Sequence, residues 1–146
     1  MFNPEKYTNK IIIWLQDVVK AGNSQGLIFG LSGGIDSAVV AALSKKAFPH
    51  NTLGLIMPCL SDPQDNEDAL VVADYFDFPV KIIDLESIFK SFLDVLEVDE
   101  FKPKDLSIAN IKPRLRMTTL YYFAAKNKLL VSGTSNLSEL VTGYFT

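Results

Sequence analysis

The stretch Gly30-Leu31-Ser32-Gly33-Gly34-Ile35-Asp36-Ser37 constrains the fold more than any other part of the chain. A short apolar run at 26–29 leads into it, and a helix-like run at 38–47 leads out. Small residues where a strand meets a helix let the backbone come close to a ligand, and helix N-terminal amides carry a partial positive charge. That combination suits phosphate. The loop has no lysine, so it does not follow the G-x-x-x-x-G-K-[ST] pattern. It carries an acid at Asp36 instead, and an acid beside phosphates implies a bridging Mg²⁺. A plain connecting turn would need one or two glycines and no fixed setting of Ser and Asp around them. Asp36 has a second reading, as an acid complementing a helix dipole, which the adjacent Gly33-Gly34 makes the weaker one.

The rest of the chain frames that loop. Asn3-Pro4 reads as an N-cap followed by proline at the first helical position. Tyr7, Ile11, Trp14, Leu15, Val18 and Val19 then fall on one broad helix face, which Gly22-Asn23-Ser24 ends. A first strand is expected at 27–31. A second helix follows at 36–47, with an apolar stripe of Val39, Val40, Ala42 and Leu43. Pro49-His50-Asn51 breaks it, and 53–57 reads as a second strand. Pro63 opens a third helix whose acidic first turn (Asp65, Glu67, Asp68) complements its dipole. Its inner face would use Leu70, Val71, Ala73 and Tyr75 or Phe76. A third strand is expected at 80–85, a helix at 88–96 and a loop at 98–104. A longer helix at 112–126 would pack through Leu115, Thr119, Tyr122 and Phe123. A fourth strand at 129–132, a turn at 133–136 and a short helical segment at 137–141 complete the pattern.

Nearly uniform apolar strands alternating with helices indicate a parallel sheet covered on both faces, a doubly wound α/β fold. Ligands of such sheets bind beyond the carboxyl ends of the strands. The 30–37 loop lies at one such end and 133–139 follows another, so two turns far apart in sequence can share a ligand.

Composition narrows the partners. At 146 residues the chain is one domain's worth, long enough for a core. A net charge of −3 argues against a general nucleic-acid binder, while a local cationic cluster still allows an anionic substrate. No segment is long and apolar enough to span a bilayer, and Pro4, Glu5 and Lys6 do not resemble a secretory signal. The single cysteine, Cys59, excludes an internal disulfide and a multi-cysteine metal site. A cytoplasmic protein with no membrane partner is the natural inference. Cys59 reads as a small, partly buried residue rather than a nucleophile, and His50 as a surface residue. Phe76, Tyr121, Tyr122 and Phe123 read as core or interface rather than as a base-stacking platform.

The Ser32-Gly33-Gly34-Ile35-Asp36-Ser37 loop resembles that of the ATP pyrophosphatases, enzymes that cut ATP between its α and β phosphates. Synthetases making GMP, argininosuccinate, asparagine and NAD share it, as do some that thiolate tRNA. Two further segments narrow the choice. Asn110-Ile111-Lys112-Pro113-Arg114-Leu115-Arg116-Met117 resembles the N-[IL]-x-A-R-x-R-M stretch of ammonia-dependent NAD synthetases. Gly133-Thr134-Ser135-Asn136-Leu137-Ser138-Glu139-Leu140, followed by Thr142-Gly143-Tyr144-Phe145-Thr146, is similar to their G-T-x-x-x-x-E-x-x-x-G-[YF]-x-T segment. The order and separation of the three blocks fit as well.

The resemblance implies a set of roles. Gly30, Leu31, Ser32, Gly33, Gly34, Ile35, Asp36 and Ser37 would hold the ATP phosphates, with the Ser32 and Ser37 hydroxyls supplementing backbone amides. Thr134 matches a position that contacts ATP, and Asp36 and Glu139 match the acids that hold Mg²⁺. Arg114 matches a position contacting nicotinic acid adenine dinucleotide (deamido-NAD), whose oxyanions suit a guanidinium. Taken alone, Glu139 reads as a solvated helix acid and Thr134 as a cap or turn residue. Arg114 and Arg116 lie on different helix faces, so one serves the ligand while the other forms a surface pair. The implied reaction consumes ATP, deamido-NAD and ammonia and yields NAD, AMP and pyrophosphate, with no protein nucleophile. No glutaminase segment is visible, which leaves ammonia as the nitrogen donor. The family also implies a homodimer, with an interface expected in the region 88–117.

Pro113 departs from the family's alanine. Proline lacks an amide hydrogen and restricts Lys112, so the helix is expected to start between Asn110 and Pro113. Full-length members continue past the Tyr144-Phe145-Thr146 segment. The expectation is therefore a single ATP-pyrophosphatase domain over 1–146 that lacks the family's C-terminal part. A non-catalytic nucleotide-binding or dimerising module, or another ATP-pyrophosphatase synthetase, stands as the alternative.

Overall fold

A computed structural model describes residues 3–98 and 105–143. Asn3 caps the first helix, its Oδ1 accepting from the Lys6 backbone N–H at 3.0 Å, and Pro4 takes the first helical position, where an amide hydrogen has no partner to lose. In chain order the elements are α1 (Pro4–Ala21), β1 (Leu27–Gly30), α2 (Ile35–Ala47), β2 (Thr52–Ile56), α3 (Pro63–Phe76), β3 (Val80–Ile82), α4 (Glu86–Val95), α5 (Leu106–Ala109), α6 (Ile111–Asn127), β4 (Leu130–Val131) and α7 (Leu137–Thr142).

The sheet has the order β3-β2-β1-β4, with every pairing parallel. The chain winds outward from β1 to β3 and then returns to place β4 on the other side of β1. This reversal makes the fold doubly wound and opens a crevice between the carboxyl ends of β1 and β4. Alternate residues of β1 serve opposite faces. Leu27, Phe29 and Leu31 pack under α1, α2 and α3, whereas Ile28 joins Leu53, Leu55 and Met57 under α4, α5 and α6. Burial on both faces explains why the strands read as continuous apolar runs. Gly54 makes room for an edge-to-face contact between Phe29 and Phe78, whose ring centroids lie 5.6 Å apart. A Cβ at Gly54 would stand 3.0 Å from the Phe78 ring and 3.1 Å from Val80 Cγ1.

The helices bury only some of the residues expected: Ala73, Leu15 and Val19 are buried, and Val40, Phe76, Leu115 and Phe123 pack against the core. α2 turns Ser37, Ala41, Ser44 and Ala47 inward, and Val39 of the expected stripe is 49% exposed. α3 buries Ala69 and Ala73, leaving Leu70, Val71 and Tyr75 exposed. In α1 only Leu15 and Val19 of the expected face are buried, with Tyr7, Ile11 and Trp14 exposed. In α6 Leu115 and Phe123 of the expected side pack against the core, but the buried residue is Ala124 and Tyr122 is exposed. The common cause in α2 and α3 is close packing on the sheet, which selects small side chains where hydrophobicity alone selects large ones.

α3 begins at Pro63 as expected. β3 stops at Ile82, short of the expected end at 85, although the Ile83 and Leu85 amides still donate to the carbonyls of Ile56 and Pro58. α6 starts at Ile111, inside the expected window, with Pro113 in its first turn. A one-turn helix, α5, precedes it and was not expected; Asn110 separates the two. Most of the loop expected at 98–104 lies outside the described residues, as does the segment from Tyr144 onward.

Candidate functional site

The loop after β1 is built from contacts within itself and with α3. Leu31 stays tied to the sheet through a 2.8 Å bond from its amide to the Leu55 carbonyl. Gly33 then takes φ +79, a left-handed conformation that side chains disfavour. A Cβ there would also lie 2.7 Å from the Asp65 carbonyl oxygen and 3.0 Å from Asp68 Cβ. Gly33 therefore serves both the turn and the close approach to α3. Ser37 is 3% exposed, and its hydroxyl donates to the Gly34 carbonyl at 2.8 Å. The same oxygen accepts from the Ser32 amide at 3.3 Å and the Ser32 hydroxyl at 3.2 Å. The structure thus engages Ser37 as an internal brace, while Ser32, Gly34, Ile35 and Asp36 are exposed.

The second segment follows β4. Ser132 donates its amide to the Ile28 carbonyl at 2.8 Å, holding the chain to the sheet before it turns. Asn136 then caps α7 in a reciprocal box: its Oδ1 accepts from the Glu139 amide at 3.0 Å, and Glu139 Oε2 accepts from the Asn136 amide at 3.1 Å. The Asn136 side chain also donates from Nδ2 to Asp36 Oδ2 at 3.4 Å, across 100 residues of sequence. Asp36 and Glu139, paired only through the family resemblance, therefore share one neighbour.

A cavity of about 520 Å³ lies between these segments, the loop after β2 and the side of α6. Gly30, Leu31, Ser32 and Thr134 line it, together with Met57, Pro58, Ser61, Asp65 and Asn66 from the β2 side and Pro113, Arg116, Met117, Leu120 and Tyr121 from α6. Its size, with apolar walls beside polar side chains such as Ser32, Ser61, Asn66, Arg116 and Thr134, suits a nucleotide-sized ligand. Asp36, Ser37 and Glu139 fall outside that lining. So does Arg114, which is exposed and donates from Nη1 to the Asn110 carbonyl at 2.6 Å. Arg116 is the arginine that faces the cavity. Its Nε donates to the Met57 carbonyl at 3.1 Å and its Nη2 to Ser61 Oγ at 3.2 Å.

Three features escaped the sequence reading: the loop after β2, the choice of Arg116 between the two arginines, and the bridging role of Asn136. The first had a signal, since the carboxyl end of β2 lies at the same sheet edge as that of β1. Tyr121 is exposed on the cavity wall rather than in the core. His50 is exposed as expected. Cys59 is fully buried among Met57, Leu85 and Phe89. Burial pushes its thiol pKa up, and the positive charges of Arg116 and Lys112 pull the other way without reversing the shift. A protonated thiol in the core is no nucleophile.

Asp36 and Glu139 meet around Asn136, one bonded to its Nδ2 and the other in its capping box. Both offer hard oxygen donors, and no group of three or more His, Cys, Asp or Glu side chains forms a closed metal set among the described residues. Mg²⁺ is suited to one or two carboxylates completed by phosphate oxygens and water.

A parallel sheet with a lysine-free glycine loop at its switch point is the architecture of the adenine nucleotide α-hydrolase-like fold. The NAD synthase family model matches residues 7–146. The NH3-dependent NAD+ synthetase of Carboxydothermus hydrogenoformans is 48% identical over 145 residues, covering 99% of this chain and 60% of that protein. The solved NH3-dependent NAD synthetase of Campylobacter jejuni superposes with a TM-score of 0.90 at 39% identity, covering 100% of this chain and 62% of that one. An NMN synthetase from Francisella tularensis gives 0.92 at 35% identity, covering 100% and 60%. The chain belongs to the NAD synthase family. It spans about 60% of the length of these relatives.

Proposed function

We propose that this chain carries the ATP-handling part of an ammonia-dependent NAD synthetase, which amidates deamido-NAD at the expense of ATP. The observation that carries the reading is the meeting of two distant segments. The 30–37 loop and the 133–139 segment adjoin at the switch point through the Asn136–Asp36 bond, and both contribute walls to one cavity.

In the proposed reaction the deamido-NAD carboxylate attacks the α phosphorus of ATP. A carbonyl–oxygen–phosphorus link forms, the bond to the bridging oxygen breaks, and pyrophosphate leaves. Ammonia then attacks the activated carbonyl and loses a proton, and AMP departs with the electron pair of the broken carbon–oxygen bond. The chain's own contribution is positioning and charge complementarity rather than covalent chemistry. Gly33 lets the loop backbone fold tightly, Ser37 braces it, and the start of α2 presents amides to phosphate. Thr134 and Ser32 border the cavity where the nucleotide would lie. Asp36 and Glu139 would hold Mg²⁺, which when bound neutralises phosphate charge. Arg114, exposed on α6, stays the proposed contact for deamido-NAD.

Exposed apolar residues on α4 (Ile88, Phe92, Val95) and Tyr122 on α6, which lies off the cavity lining, support a homodimer built through these helices. Among the described residues no helix is long and apolar enough to cross a membrane. A cytoplasmic location is part of the same proposal.

The test is an assay of the purified chain with ATP, Mg²⁺, ammonia and deamido-NAD, alongside the deamidated mononucleotide as rival acceptor. NAD above a no-enzyme control is the expected result. Amidation of the mononucleotide alone would move the assignment towards the Francisella relative. ATP binding without any amidation would leave a nucleotide-binding module.

A further inference from the structure

We infer that Arg116 is a second oxyanion contact in the cavity, facing the glycine loop and distinct from the exposed Arg114. The inference rests on the proposed function for its ligand class, a substrate carrying a phosphoanhydride or carboxylate oxyanion. Arg114 and Arg116 are two residues apart on α6, so the helix turns them to different sides. Only Arg116 reaches the cavity, where it is half-buried.

Among the described residues no carboxylate forms an ion pair with Arg116. Nε and Nη2 each donate to a neutral oxygen, the Met57 carbonyl and the Ser61 hydroxyl. Neither the Lys45–Asp77 nor the Lys90–Glu86 ion pair involves Arg116. Asp65 is the one carboxylate on the cavity lining, and it makes no ion pair with Arg116. A guanidinium has five N–H donors in a fixed fork. The two neutral bonds leave the Nη1 edge without an acceptor among the described residues. A half-buried cation without a carboxylate loses hydration and gains little in return, an arrangement that an incoming anion corrects.

The same two bonds fix the side chain. They tie α6 to the carboxyl end of β2, so the guanidinium is oriented before any ligand arrives. Ser32 and Thr134, on the loops after β1 and β4, line the same cavity. A ligand filling the cavity then meets both the loops and a preset, planar cation, a donor that suits bidentate recognition of an oxyanion.

The experiment titrates inorganic pyrophosphate, ATP and deamido-NAD, each with Mg²⁺ and at several salt concentrations, into the full chain and its Arg116→Gln and Arg116→Lys variants. Arg116→Gln is expected to weaken at least one of these ligands by about tenfold or more, the scale of a charged hydrogen bond. It should also flatten the salt dependence of that binding, because one charge contact is gone. Arg116→Lys should restore the salt dependence and only part of the affinity. Loss confined to ATP and pyrophosphate assigns the contact to the phosphates; loss confined to deamido-NAD assigns it to the acceptor. Wild-type affinity in Arg116→Gln for all three overturns the inference, as does a wild-type chain that binds none. An affinity loss with unchanged salt dependence, accompanied by Cys59 becoming reactive to a thiol reagent, overturns it in favour of a structural tie. These readouts do not depend on amidation. A chain that makes no NAD but loses ATP binding on Arg116→Gln would defeat the proposed function and leave this inference standing.

Discussion

Asn136 reaches Asp36 across the switch-point crevice, its Nδ2 donating to Asp36 Oδ2 at 3.4 Å while the same side chain caps α7 over Glu139. One residue thus serves a local role and a long-range one, and two substitutions separate them. Asn136→Ala removes both and should cost about 1 kcal/mol of stability through the lost cap. Asn136→Ser keeps a capping oxygen, so stability should return to near wild type. Neither variant can hold Asp36. Both should therefore show a smaller gain in ATP affinity on adding Mg²⁺, measured by titration with and without the ion. Wild-type Mg²⁺ dependence in Asn136→Ser would sink the positioning role.

Gly33 and Gly34 are adjacent but make different demands. Gly33→Ala places a Cβ against the α3 backbone at φ +79, and strain of that kind costs about 1–3 kcal/mol. Gly34 has φ −75 and ψ 157, open to any residue, and an added Cβ would meet only Ser32 Oγ, at 3.4 Å. Gly34→Ala should leave thermal unfolding nearly unchanged while weakening pyrophosphate and ATP binding, because the methyl stands where phosphate approaches the amides. Equal melting losses in the two variants would contradict this division.

How far the sequence revealed this molecule depends on the scale of each feature. Element order and the parallel sheet were legible because apolar strands alternate with helices marked by Pro4, Pro63 and Pro113, whose fixed φ leaves few options. Helix faces were legible only in part: Ala73, Leu15 and Val19 were foreseen, but Ala41 and Ala69 are chosen for closeness to the sheet, and hydrophobicity ranks Leu70 and Val39 above them. The glycine loop and the 133–139 segment were found because their patterns are local. Arg116 was not preferred over Arg114 because helical spacing says that two residues face apart, and only the tertiary packing says which one faces the cavity. The partnership of Asn136 with Asp36 spans 100 residues and leaves no trace in either segment alone.

The exposed apolar faces of α4 and α6 predict self-association. Val95 and Tyr122 are 78% and 60% exposed, so charge at either site should change the monomer's stability by no more than about 0.5 kcal/mol. Val95→Glu with Tyr122→Glu should convert a dimer into a monomer of unchanged melting behaviour at low concentration. Sedimentation analysis checks this. A wild-type chain that is already monomeric at tens of micromolar would rule the interface out.

Cys59 offers a test that reports on the core rather than the site. Its thiol is fully buried, and burial raises its pKa above the unfolded value of about 8.5. The fold therefore prefers the protonated form. The contribution is fully present below the unfolded pKa and is lost as pH rises through the folded one, since the unfolded chain then releases its proton more readily. Cys59→Ala removes that linkage at a cost on the order of 1 kcal/mol for the lost packing at neutral pH. Denaturant unfolding at pH 7 and pH 9.5 should show the gap between wild type and variant narrowing at the higher pH. Native protein should also resist a thiol reagent at pH 8 and react only after unfolding. Rapid native labelling would mean that the loop after β2 opens readily, and the Arg116 tie to Met57 and Ser61 would then be too weak to preset the guanidinium.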